Sequence, residues 1–250
     1  MGEIKTVRTG IKVLDEMLGG GLLDDSTLLI VYNTYSFGWA LGVQIFRKLV
    51  DSGGFGVVSN YSFPISLLVK YAGAMGYDFI ESGEKGDLVI IDVFGSTYDI
   101  RSDLPFVYYT GKLGPENYLA EMVGAYRGAI EDHLGGRKPI GISVTLDGLA
   151  GLFGEESTIR VLKRNLAMKE AARMSEDRKR PINIFLLNKD RVSERFISWV
   201  GEYSEHIVEF TASSSPGVER MAVRKSLLPD FVPRTAEFRF KKGRIGIFPG

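Results

Sequence analysis

Ser26–Gln44 reads STLLIVYNTYSFGWALGVQ: a short apolar strand, a polar and aromatic loop, then an amphipathic stretch with helical spacing. Strand, loop and helix of these lengths are the frame of a phosphate-binding loop, whose pattern is Gly, four residues, then Gly-Lys-Ser/Thr. With Gly38 on the second motif glycine, Asn33 stands where the first belongs, Trp39 takes the lysine position, and Ala40 replaces the Mg²⁺-binding hydroxyl. The frame is kept and the chemistry is missing. Such a loop works because successive backbone N–H groups line a concave nest that small residues leave open to phosphate oxygens. Tyr35 and Phe37 would crowd that nest. An indole and a methyl group supply neither a cation nor a metal ligand, so a triphosphate here would lack both counter-charges. Read alone, the stretch is more simply an ordinary strand-turn-helix.

Working outward, the composition sets limits. A chain of 250 residues can bury a full core as one large α/β domain or two small ones. Its 31 basic and 31 acidic residues leave no electrostatic footprint, which argues against a dedicated duplex-DNA binder while leaving room for a local basic patch. Without cysteine there is neither a disulfide framework nor a thiolate metal site. The two histidines, His133 and His206, read as surface or boundary residues rather than ligands. No basic-then-apolar leader is present, and no apolar run approaches the ~20 residues that span a bilayer. The expectation is a soluble, cytoplasmic protein.

Upstream, Thr9–Leu22 reads TGIKVLDEMLGGGL. Thr9 is a candidate helix N-cap, Leu14, Met17 and Leu18 share one face, and the Gly19-Gly20-Gly21 run stops the helix. A T-G-I-x-x-L-D-x-x-L-G-G-G-L segment just before a strand-loop-helix resembles the start of the RecA-type ATPase core of the KaiC and archaeal RadA-like families. The degenerate loop then lies where those families carry their phosphate-binding loop, and the ordinary strand-turn-helix becomes the minor reading.

The resemblance supplies further expectations along the chain. In KaiC-like members the end of the next strand carries the acid that activates water. Here that strand, Phe55 to Ser59, is followed by Asn60 and Tyr61, and a neutral amide is no general base. Pro64 opens a helix, PISLLVKYAGAMG, with Leu67, Leu68, Tyr71, Ala72 and Met75 on or beside one face. Its simplest role is core packing. The resemblance adds that this strand and helix border a groove for an extended segment with an aromatic anchor from a neighbouring protomer, so these five residues are a candidate peptide groove.

DLVIIDVF, Asp87 to Phe94, reads as a strand buried on both faces, and Gly95 to Leu113 as polar, aromatic and helix-poor. Pro115 starts the next helix. PIGISVTLD, Pro139 to Asp147, has the shape of a Walker B strand ending in its acid, although an aspartate at a strand end is also a common cap. A helix from Ser157 to about Met174 turns Ile159, Leu162, Leu166 and Met168 to the core, and PINIFLLN, Pro181 to Asn188, is another buried strand. His206 to Phe210, Arg220 to Arg224, Ala236 to Phe240 and Ile245 to Phe248 alternate as antiparallel strands closing one sheet edge. The resemblance places a Lys-x-Arg on a late strand, reaching the neighbouring subunit's γ-phosphate. Arg224 keeps its arginine and Ala222 stands where its lysine would be, with Lys225 leaving the register open.

These expectations amount to a single RecA-like three-layer α/β domain over residues 1–250, with a mainly parallel central sheet, helices on both faces and antiparallel C-terminal edge strands. The function expected is that of a catalytically inactive KaiC/RadA-like pseudo-ATPase without cofactor or metal. It would bind a protein or peptide, through self-association or pairing with an active RecA-family protein. Two alternatives stand beside it. One is an ATP/ADP-binding enzyme that borrows Lys189, Arg191 or Arg224 from an adjacent protomer. The other is a DNA-recombination accessory, whose affinity would fall steeply with salt.

Overall fold

A computed structural model describes residues 4–131, 133–175, 181–212 and 217–249, the side chains of 131 and 172–175 excepted. The first elements are a two-strand ribbon, β1 (Thr6–Val7) and β2 (Leu22–Leu23), on either side of helix α1 (Lys12–Leu18). Thr9 is not the cap of α1. Ile11 holds that position, and the Thr9 hydroxyl accepts from the Ile11 amide at 3.1 Å while donating to Asp15 Oδ1 at 2.8 Å. Gly19 ends the helix at φ 88°, where a side chain would also meet the Phe231 amide nitrogen at 2.9 Å.

The remaining elements alternate. They are β3 (Thr27–Tyr32), α2 (Gly38–Asp51), β4 (Gly54–Asn60), α3 (Ile65–Ala74), α4 (Phe79–Glu84), β5 (Leu88–Asp92), α5 (Val93–Tyr98), β6 (Val107–Tyr108) and α6 (Tyr118–Glu131). Then come β7 (Lys138–Val144), α7 (Leu146–Phe153), α8 (Glu155–Ser175), β8 (Ile182–Asn188), a 3₁₀ turn (Lys189–Arg191), α9 (Glu194–Glu202) and β9 (His206–Ala212). The chain closes with β10 (Glu219–Ser226), β11 (Arg234–Lys241) and β12 (Arg244–Pro249).

One sheet takes the order β12-β11-β10-β9-β3-β8-β7-β4-β5-β6. From β9 through β6 every pairing is parallel, and β9 to β12 are antiparallel. The continuous apolar runs have the physical consequence expected of them: successive side chains go to opposite sides and both sides are covered. Leu28 and Ile30 pack under α1 and α2, whereas Leu29 and Val31 pack under α7, α8 and α9. On β5, Leu88 and Ile90 join the first layer, and Val89 and Ile91 meet α6 on the other. Each such buried side chain contributes ~1.5–3 kcal/mol of transfer free energy, which is why the central strands fix the register.

Several local expectations change. β9 belongs to both arrangements, parallel to β3 and antiparallel to β10, because its Leu28↔His206 register continues the central sheet. The stretch after β5 holds a helix, α5, whose N-cap Asp92 accepts from the Gly95 amide at 3.0 Å. Helix α6 begins three residues beyond Pro115, at Tyr118. Met168 is 45% exposed on α8, whereas Ile159 and Leu162 are buried. His206 is fully buried: Nε2 accepts from the Leu23 amide at 2.9 Å and Nδ1 lies 3.1 Å from Ser226 Oγ. Among the described residues no helix is long and apolar enough to cross a membrane.

Candidate functional site

After Tyr32 the chain leaves the sheet and turns back, with the Ser36 amide donating to Asn33 O at 2.9 Å. Two carboxylates from elsewhere in the chain hold this loop. Asp190, in the 3₁₀ turn after β8, accepts from the Thr34 amide at 2.8 Å and from Asn33 Nδ2 at 2.9 Å. These donors hold its carboxyl below the usual carboxylate range. Glu219, at the start of β10, accepts from the Phe37 amide at 2.7 Å and from the Ser36 hydroxyl. Ser36 Oγ in turn accepts from the Gly38 amide at 2.8 Å. The Thr34 and Phe37 amides are therefore both engaged by the protein's own acids. Glu219 also supplies the negative charge that the first turn of α2 lacks in its own sequence.

The side chains at the motif positions pack rather than reach. Ala40 is wholly buried, and Gly38 is required because a Cβ there would meet the Phe210 ring at 2.5 Å. Trp39 stands edge-on to Tyr71, with ring centres 5.3 Å apart, and Phe63 lies 5.2 Å from the same tyrosine. Phe37 stacks on Phe240 at 5.1 Å. Tyr35 is 96% exposed.

Asp147 lies in the first turn of α7 rather than at the end of β7, which stops at Val144. Its Oδ1 accepts from the Asn188 amide at 3.0 Å, and Arg191 approaches Oδ2 at 3.4 Å. The acid thus ties α7 to the end of β8. Burial, and after it the Asp147 carboxylate, push the Tyr32 phenol above its ordinary value. Asn60 is fully buried and organises its own turn, donating to Phe63 O at 2.6 Å and to Asp92 Oδ1 at 2.8 Å.

The three cations considered as donors to a neighbour each have a carboxylate partner in their own chain. Lys189 Nζ lies 3.1 Å from Glu209 Oε1, Arg224 Nε lies 2.8 Å from Glu209 Oε2, and Arg191 pairs with Asp147. Burial pushes the Glu209 carboxyl up, but the hydrogen bonds from Arg224 and Lys189 outweigh it and leave the group below its usual value. Among the candidate groove residues, Leu68, Ala72 and Met75 are buried in the core, while Leu67 and Tyr71 are 37% and 39% exposed. Leu67 and Tyr71 lie one turn apart on α3, with the Tyr71 ring against Trp39. His133 is half-buried, 3.0 Å from the Tyr108 hydroxyl. Among the described residues no cluster of His, Asp or Glu could hold a metal ion.

Sequence reasoning passed over Asp190 and Glu219. Asp190 carried a weak signal, an acid between Lys189 and Arg191 at a strand end, and Glu219 carried none within its own segment.

The seven-strand parallel core with its antiparallel wing, the helices on both faces and the strand-loop-helix after β3 define a RecA/KaiC-like fold. No protein-family model matches the sequence, and no curated protein matches it. Among solved structures the chain is similar to the uncharacterized protein PH0321 from Pyrococcus horikoshii in complex with an unknown peptide. The TM-score is 0.84 and the identity 21%, over 98% of this chain and 100% of that one. It is also similar to the KaiC-like protein PH0186 from the same archaeon, with a TM-score of 0.70 and 15% identity over 99% and 100%. At such identities the likeness is one of fold.

Proposed function

We propose that this domain is a pseudo-ATPase that holds no nucleotide in its loop and acts as a protein- or peptide-binding regulatory partner, either of a second copy or of an active RecA-family protein. The observation that carries the reading is the occupation of the Thr34 and Phe37 amides by Asp190 and Glu219. An entering phosphate would have to displace both carboxylates and remain beside them, without the lysine that Trp39 replaces. Two like charges ~4 Å apart cost about 4 kcal/mol at the effective dielectric of a protein surface. In this reading the partner face is the apolar surface of Trp39, Leu67 and Tyr71, on which an extended segment would bury one aromatic side chain. That a protein of this fold was crystallised with a peptide supports a peptide ligand.

The reading of an ATPase completed by a neighbour's cation gains nothing from the geometry, since Lys189, Arg191 and Arg224 already have partners in their own chain. The test is calorimetric titration of ATP and ADP with Mg²⁺, together with a melting shift at saturating nucleotide. A ligand at a hundredfold excess over its dissociation constant stabilises by ~2.7 kcal/mol. No heat and no shift are expected, and micromolar binding would overturn the proposal.

A further inference from the structure

The outer face of the antiparallel wing carries a charge pattern that the loop site does not use. The register sets Glu237 between Arg220 and Phe248, Arg239 opposite Gly246, and Lys241 opposite Arg244. Directly opposed residues share a face. This face points away from the core, because the intervening Ala236 and Phe238 are buried while the charged residues and Phe248 are exposed. Helix α9 meets the wing at the far end of β10, where Lys225 Nζ donates to the carbonyls of Gly201 and Glu202. Arg239 is 3.0 Å from Glu237 and sits 5.3 Å over the Phe248 ring. No carboxylate among the described residues pairs with Arg220, Lys241 or Arg244. Apart from Glu209 on β9, which Arg224 and Lys189 already pair, the face thus gathers Arg220, Arg239, Lys241 and Arg244 against the single acid Glu237.

A second observation comes from the backbone. β12 is the last strand of the sheet, so one row of its N–H and C=O groups has no ladder partner. Pro249 blunts only its end. On the core side of the same strand Ile245 and Ile247 are half-buried.

We propose that β12 accepts an extended acidic polypeptide segment as an added strand. Alternate residues of that segment would be acidic, lying on the outer face beside Arg239, Lys241 and Arg244. The residues between them would be apolar, extending the row of Ile245 and Ile247. The free ladder groups select a polypeptide over a nucleic acid, whose backbone cannot continue a sheet. This inference rests on the reading of the domain as a protein-binding one, but it names a different surface from the aromatic face beside the loop.

The test is fluorescence anisotropy of the full chain with a short labelled peptide of alternating Glu and Val. The comparison probes are the same peptide with Lys for Glu, a version N-methylated along one edge, and single-stranded oligothymidine. The acidic peptide is expected to bind with an affinity that falls as salt rises, and the lysine and N-methylated peptides at least about tenfold more weakly. Arg239→Glu with Arg244→Glu should abolish binding, and the milder Lys241→Ala with Arg244→Ala should weaken it, with unchanged circular dichroism. Equal binding of the lysine or N-methylated peptide, or oligothymidine binding more tightly than the acidic peptide, would overturn the inference. No binding of the acidic peptide would overturn it too, while leaving the pseudo-ATPase reading to stand or fall on the nucleotide titration.

Discussion

Glu219 reaches from the first residue of β10 to the backbone amide of Phe37, 2.7 Å away and 182 residues earlier in the chain. A charged acceptor is held there against the start of α2, where unpaired amides favour negative charge. Glu219→Ala removes that acceptor from the Phe37 amide and the Ser36 hydroxyl together. It is expected to destabilise the fold by about 1–3 kcal/mol, the cost of stranding partners of a charged hydrogen bond. Glu219→Gln should recover part of the loss. Urea unfolding followed by tryptophan fluorescence checks both, and an unchanged midpoint for the alanine variant would remove Glu219 as the loop's anchor.

Gly38 is kept for a packing reason. Its Cα faces the Phe210 ring so closely that Gly38→Ala must push that ring aside. Overpacking of this kind costs ~1–3 kcal/mol, more than an alanine contributes to the first turn of a helix. Gly38→Ala is expected to lower stability, and a Gly38→Ala/Phe210→Leu pair to lose less than the sum of its single changes. A double-mutant cycle in urea reads the coupling, and strict additivity would refute the contact.

How much of this was legible follows the range of the interactions. The runs TLLIVY and LVIID declare strands covered on both sides because that property is written in consecutive residues. The helix opened by Pro64 is equally local. The occupation of the loop was hidden, because Asp190 and Glu219 are brought to it only by the parallel pairing of β3 with β8 and by the return of β10 beside β9. The strand boundary before Asp147 was hidden for a related reason. An acid after an apolar strand looks the same in sequence whether it ends the strand or opens the next helix, and here β7 stops at Val144 and Thr145 caps the helix that holds Asp147.

Restoring the motif letters alone should therefore fail. Trp39→Lys with Ala40→Thr would supply the motif's cation and hydroxyl, yet Asp190 and Glu219 still engage the Thr34 and Phe37 amides, and the new hydroxyl would sit at a position that is wholly buried. The double variant is expected to show no calorimetric heat with Mg²⁺-ATP. Binding at micromolar ATP would mean that residue 39 was limiting and that the carboxylates yield readily.

His206 makes stability depend on pH in a predictable direction. Burial first, and the Lys225 charge second, lower its pKa from 6.5 to about 4. The neutral ring is the one that fits, since Nε2 must accept from the Leu23 amide. Between those two values the unfolded chain binds a proton that the folded chain refuses. Stability is therefore fully present above pH 6.5, falls as the pH drops through the window, and stops falling from this cause below about pH 4. The whole window is worth roughly 3 kcal/mol, and the part down to pH 5, before most carboxylates titrate, about 2 kcal/mol. His206→Gln keeps an acceptor for Leu23 without a titrating ring. The informative quantity is the slope of urea-unfolding free energy against pH between 7 and 5, which does not depend on the variant's absolute stability. The variant should be nearly flat there, and a slope equal to that of wild type would show that His206 does not carry the dependence.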